Sequence, residues 1–266
     1  MRPYTEIRNS KTKSTETVSR EKVQQVIIHL HGGGPYGQQS EAAEHYLRKW
    51  ANQLNVPLFC IDYTMEASYV ETIDEAYQAY YWIVTQVKQH MGIDPKRVVL
   101  SGDANGGHLA QAITILSILR NFRTPNSLVL HQPICNSNLN HFFPSTMLAL
   151  DDIFVNYSML NYLQARGGGK LLDPTQNCLL SPIYTPRSIL QKFPQTKILI
   201  AELDPLRDTG IYFALQLSKA YCDVEVFYMK DYISNFLQYD SLSFGIPEFR
   251  QAHELTMELF RRMLGN

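Results

Sequence analysis

Leu100-Ser101-Gly102-Asp103-Ala104-Asn105-Gly106-Gly107 is the stretch from which the fold of this chain is read. It follows the apolar Arg97-Val98-Val99-Leu100 and precedes Leu109 to Leu119, which reads as an amphipathic helix. Strand, glycine-rich turn and helix, in that order, is the setting in which a G-x-S-x-G turn presents a serine nucleophile. Gly102 and Gly106 stand two residues either side of the centre, and the centre is Ala104. A methyl group cannot attack a carbonyl.

The same rhythm extends in both directions. Val26 to His31 is a short apolar run stopped by Gly32-Gly33-Gly34-Pro35 and reads as a buried strand. Ala43, Tyr46, Leu47, Trp50 and Leu54 fall at helical spacing within Glu41 to Leu54. Pro57 to Tyr63 reads as a second strand, and a helix over about 72–90 opens on Thr72-Ile73-Asp74-Glu75, which has capping-box spacing. Ser127 to His131 is a strand stopped at Pro133. Residues 134–196 break the pattern, with a helix expected near 152–165 and the glycine run 167–169. An insertion at this place in the chain reads as a lid or a substrate-shaping excursion. The alternation then resumes: strand Lys197 to Leu203, helix Thr209 to Ala220, strand Val224 to Met229 and a closing helix Pro247 to Leu264. Strands alternating with helices predict a mostly parallel sheet covered by helices on both faces, with ligands at the carboxyl ends of the strands. One domain over 23–266 is expected, preceded by a polar, flexible arm over 1–22.

Composition narrows the classes. The 266 residues are 45% hydrophobic and 18% charged, as a packed globular chain requires. Lys plus Arg is 24 against 25 Asp plus Glu, so the charge balance gives no reason to propose nucleic acid or an anionic membrane as partner. Cys60, Cys135, Cys178 and Cys222 show no metal-binding spacing and read as reduced thiols. No metal and no cofactor is expected. No run approaches the roughly 18 apolar residues of a membrane span, and the N-terminus lacks the apolar core of a signal peptide. A cytoplasmic protein is the expectation.

Four motifs in chain order resemble the hormone-sensitive-lipase-like branch of the α/β hydrolases: His31-Gly32-Gly33-Gly34 its H-G-G-G, Asp62-Tyr63 its D-Y turn, Gly102 to Gly107 its G-D-S-A-G-G elbow, and Asp204-Pro205-Leu206-Arg207-Asp208 its D-P-L-R-D. The A-P-E that usually follows D-Y is absent, and the chain reads Thr64-Met65-Glu66-Ala67 instead. The resemblance implies an α/β-hydrolase fold and ester hydrolysis as the family activity. It places Gly32, Gly33 and Asn105 as oxyanion-hole N–H donors and Asp204 as the triad acid. The family's histidine belongs to an H-G-F after the strand Val224 to Met229. Here Phe236 matches the phenylalanine, which puts Ser234 at the histidine position. Two of the three triad positions are therefore substituted, the nucleophile by Ala104 and the base by Ser234. Asp103 is expected to brace the turn, His31 to hold its loop, and Asn105 to crowd the hole. His253 lies in the closing helix, past the loop where a base belongs.

Two functional classes follow. One is an inactive relative that binds a small acyl or apolar ligand, or a protein partner. The other is an active lipase or esterase with rearranged catalytic residues, for which the sequence supplies no nucleophile–base pair. A structural piece of a larger lipase is a third possibility.

Overall fold

The computed structural model describes residues 24–33, 40–64, 67–166, 173, 177–239 and 245–265. The expected arm over 1–22, Gly34 and the glycine run 167–169 lie outside the described residues. Six strands, β1 (Gln25–Leu30), β2 (Leu58–Ile61), β3 (Arg97–Asp103), β4 (Ser127–His131), β5 (Gln195–Ala201) and β6 (Val224–Met229), form one sheet in the order β2-β1-β3-β4-β5-β6. Every pairing is parallel. All the strand exits, and the loops after them, therefore gather at one edge.

The helices are α1 (Ser40–Leu54), α2 (Tyr69–Met91), α3 (Asn105–Leu119), α4 (Tyr157–Arg166), α5 (Arg187–Leu190), α6 (Arg207–Lys219) and α7 (Arg250–Leu264). Strand pleating sends alternate side chains to opposite faces. Val26, Ile28 and Leu30 join Val98, Leu100 and the apolar sides of α2, α3 and α6 in one core. Ile27, Val99, Val129 and Leu199 join Trp50 of α1 and Phe260 of α7 in the other. Covering both faces is what makes the strands continuous apolar runs.

Four expectations are corrected in detail. The capping box sits one turn earlier than Thr72–Glu75: Ser68 is the N-cap and Glu71 its partner, while Glu75 instead accepts from Thr64 N and Oγ1. Helix α3 begins at Asn105, directly on the turn, and it is not amphipathic. It is buried nearly all round because it lies between the sheet, α2 and the turn Pro182–Tyr184. Between β4 and β5, the expected helix near 152–165 is α4, preceded by a 3-10 helix Pro144–Leu150. The closing helix begins at Arg250 after a 3-10 turn, Pro247–Phe249.

The β3–α3 turn is closely packed. A Cβ at Gly106 would collide with the carbonyl oxygen of Leu30, so α3 approaches β1 as closely as backbone allows. Gly106→Ala is expected to cost at least about 2 kcal/mol, since overpacking at a backbone contact has no flexible side chain to yield. A melting temperature lowered by about 4 °C or more would show it, and an unchanged one would mean that the turn is loose.

Candidate functional site

Ala104 has φ 48° and ψ −110°, a conformation that L-residues rarely adopt. It is held there from both sides. Its N–H donates to His131 O at 2.9 Å, and its carbonyl accepts from His108 N and Ile134 N, both at 3.1 Å. Residues 101–103 and 105–115 are buried, whereas Ala104 is partly exposed, so the tip of the turn alone reaches outward.

Asp103 braces this turn to the loop after β1. Its Oδ1 accepts from Gly32 N at 2.8 Å, His29 Nε2 at 3.2 Å and Tyr46 OH at 3.4 Å. Burial opposes its charge, but the His29 hydrogen bond and the nearby histidines outweigh it and hold the carboxyl below its usual range. The bond from Gly32 corrects one expectation: that N–H is committed to Asp103 and is not an oxyanion donor. The N–H groups of Gly33 and Asn105 have no acceptor among the described residues. Gly33 sits at φ 142°, which glycine tolerates.

His31 donates from Nδ1 to Gly32 O at 2.8 Å and stacks on Tyr63 at 4.5 Å between ring centroids. Burial lowers its pKa. Tyr63 OH donates to His31 O at 2.6 Å and accepts from Asn105 Nδ2 at 3.2 Å. The Asn105 carboxamide is thereby tied to the glycine loop.

Asp204 follows β5 and is 3% exposed. Its Oδ1 accepts from Leu206 N at 2.8 Å, a local turn ahead of α6. Burial, with the negative Asp152 nearby, raises its pKa to about 7 against the pull of the Leu206 N–H. Arg207, the adjacent cation, bonds through Nε to Asp208 and through its guanidinium to Glu202 O. Ser234 is 1% exposed, and its hydroxyl, beside the Asp204 carboxyl, pulls that pKa down. It has no well-formed hydrogen bond. No histidine among the described residues bonds to Asp204. His253, on the buried side of α7, donates from Nε2 to Leu237 O at 3.1 Å.

Gln132, which carried no signal in the sequence, joins the pieces. Its Nε2 donates to Ile233 O at 2.9 Å and its Oε1 accepts from Asn235 N at 2.7 Å, so it grips both neighbours of Ser234. Its own N–H donates to Leu199 O at 2.8 Å, and its predecessor His131 holds Ala104. Positions 104, 204 and 234 thus share one edge of the sheet. Asp208 secures the segment above by accepting from Ser145 N at 2.8 Å.

One Ser–His–carboxylate chain does exist. Ser101 Oγ lies 3.3 Å from His29 Nδ1, and His29 Nε2 lies 3.2 Å from Asp103. Ser101 and His29 are both 0% exposed, beneath the turn and packed against Tyr46 and Trp50. A substrate carbonyl cannot reach them without opening the sheet.

Two measurements follow. Ala104→Gly relieves the strained φ and is expected to stabilise by about 1 kcal/mol, raising the melting temperature by about 2–4 °C; a loss of stability would contradict the strain. For Asp204, a native pKa above the unfolded value means that the folded state holds the proton more tightly. Its contribution is then full below about pH 4 and is lost as pH rises through about 7. Asp204→Asn is expected to raise the melting temperature at pH 8, by the equivalent of roughly 2 kcal/mol, and to have little effect at pH 4. Equal effects at the two pH values would refute the buried acid.

Known proteins share this fold. A family model described as alpha/beta hydrolase fold matches residues 27–238. Mouse hormone-sensitive lipase is 32% identical over 138 residues, 51% of this chain and 18% of that protein, so the match spans less than a fifth of that relative's length. An ethyl acetate hydrolase of Pseudomonas putida is 25% identical over 222 residues, 81% of this chain and 67% of that one. Among solved structures, carboxyl esterase 2 of Tuber melanosporum superposes with a TM-score of 0.80 at 24% identity, covering 91% of this chain and 79% of that one. A thermostable esterase of Pseudomonas putida gives 0.81 at 21% identity, covering 91% and 75%. The chain belongs to the α/β-hydrolase family, on its hormone-sensitive-lipase-like branch of lipases and esterases.

Proposed function

We propose that this chain is a catalytically inactive member of that branch, which binds a small ligand with an acyl or apolar body where relatives hold their substrate. The observation that carries the proposal is the elbow itself: a strained backbone aims residue 104 outward, and that residue is alanine. The base is missing as well, since Ser234 occupies the place facing Asp204. Loss of either nucleophile or base costs a serine hydrolase about 10⁶ in kcat, and losing both costs little more because they act as a unit. The surroundings support binding. Gly33 and Asn105 keep N–H groups without acceptors among the described residues, suited to a carbonyl oxygen. Met147, Leu150, Ile153 and Leu203 are exposed apolar side chains around the Asp204 turn and the segment that Ser145 ties to it. No helix among the described residues is long and apolar enough to cross a membrane. We further propose that the protein works in the cytoplasm, alone or with a protein partner.

Restoring the missing groups tests the reading. The wild-type chain is expected to hydrolyse p-nitrophenyl butyrate no faster than buffer. Ala104→Ser with Ser234→His is expected to raise hydrolysis at least about 10³-fold above that background, since Asp204 and the oxyanion donors remain. Wild-type turnover that a substitution at Asp204 abolishes would overturn the proposal in favour of an active, rearranged hydrolase.

A further inference from the structure

Helix α3 starts at Asn105 and runs about 22 Å before it reaches Arg120, so its C-terminal end is far from Ala104. There α2 and α3 leave a cleft of about 510 Å³ between them. It is lined by Tyr77, Gln78, Tyr81 and Trp82 of α2 and by Arg120 and Phe122 just after α3. That volume is in the range of small-molecule sites. The Phe122 ring meets Tyr81 at 4.9 Å and Tyr77 at 6.3 Å between centroids. Trp82 stacks on His90 at 5.6 Å. Tyr77 is the most buried of the lining rings, at 5% exposed, whereas Gln78, Tyr81 and Arg120 are exposed, so the cleft is open to solvent.

The charge in this cleft is one-sided. The Arg120 guanidinium lies over the Tyr77 ring, 4.5 Å from its centroid, and has no carboxylate partner among the described residues. The nearby Arg123 is committed to the carbonyls of Pro95 and Lys96. Gln78 donates from Nε2 to Asp74 Oδ2 at 2.5 Å, which leaves that amide one further N–H. A cation beside the last turn of a helix is favoured by the helix dipole. That accounts for the charge at position 120 and not for the rings around it.

These features select a ligand by its head group. Bare aromatic faces would favour a cation, but Arg120 already covers Tyr77 and would repel a second one. A neutral molecule would fill the space between the rings and leave the guanidinium to water. A carboxylate on a flat body satisfies both, since the planar guanidinium offers paired donors that match its two oxygens. We infer that this cleft is a binding site for a small carboxylate on a flat apolar body, its oxygens on the Arg120 guanidinium and its body against Tyr77, Tyr81 and Trp82. No residue of the strained turn lines it, so the inference stands apart from the reading of Ala104.

Three probes with one body and different head groups decide it: 3-phenylpropionate, 3-phenyl-1-propanol and 3-phenylpropylammonium. Each is titrated into the full chain at pH 7.5 and low salt, with calorimetry and tryptophan emission as readouts. The chain has 2 tryptophans, of which Trp50 is 0% exposed and Trp82 lines the cleft, so a change in emission is local. The carboxylate is expected to bind saturably and about fivefold more tightly than the alcohol, the upper end for an exposed ion pair, and the ammonium more weakly than either. Arg120→Gln, checked for folding by circular dichroism, is expected to bring carboxylate and alcohol to equal affinity. Trp82→Phe is expected to keep the calorimetric binding and lose the emission change. Alcohol or ammonium binding as tightly as the carboxylate would overturn the inference. So would a preference that survives Arg120→Gln or an emission change that survives Trp82→Phe, since the carboxylate then binds elsewhere. If none of the three binds, the cleft is not a site.

Discussion

Everything at the carboxyl edge of the sheet depends on how closely the start of α3 approaches β1. The Gly106 backbone lies against the Leu30 carbonyl with no room for a Cβ. That contact, with the bonds from Ala104 to His131 and Ile134, forces residue 104 to φ 48°. Strain of this kind costs on the order of 1–3 kcal/mol and persists only where the surroundings over-determine it. In an active relative the strain serves to project a nucleophile. Here it projects a methyl group.

The polar side of the site is arranged around two aspartates with opposite fates. Asp103 is buried with three donors on its Oδ1, and its carboxyl stays ionised with its pKa held low. Asp204 is equally buried, has one backbone donor and a serine that does not close its hydrogen bond, and its pKa rises to about 7. The difference is the His29 hydrogen bond and the neighbouring histidines, which Asp103 has and Asp204 lacks. An imidazolium at position 234 would supply the missing donor and the missing charge together. Without it Asp204 remains a buried acid with a single backbone donor.

Much of the fold was legible in the sequence because a parallel sheet buried on both faces leaves continuous apolar runs. Ser127 to His131, buried throughout, reads with its observed limits, and so does Val224 to Met229, an edge strand with no buried residue. Helix α3 was harder. Its side chains are apolar on nearly every face, so no single stripe marks how it packs, and its first turn is glycine and asparagine rather than a capping residue. The motifs put Ala104, Asp204 and Ser234 in the segments that follow β3, β5 and β6, and those segments do follow these strands. The reach of individual polar atoms was not legible. That Gly32 N–H goes to Asp103, or that Gln132 grips the residues either side of Ser234, depends on side-chain directions between segments about 70 and 100 residues apart. No local spacing encodes such contacts.

The central claim is that no residue of this chain serves as a serine-hydrolase nucleophile. Incubation of the wild-type protein with a p-nitrophenyl alkylphosphonate, followed by intact-mass measurement, tests it most directly. The expected result is an unchanged mass and p-nitrophenol release at the buffer rate. A stoichiometric phosphonyl adduct on Ser101, or on any other hydroxyl, would contradict it.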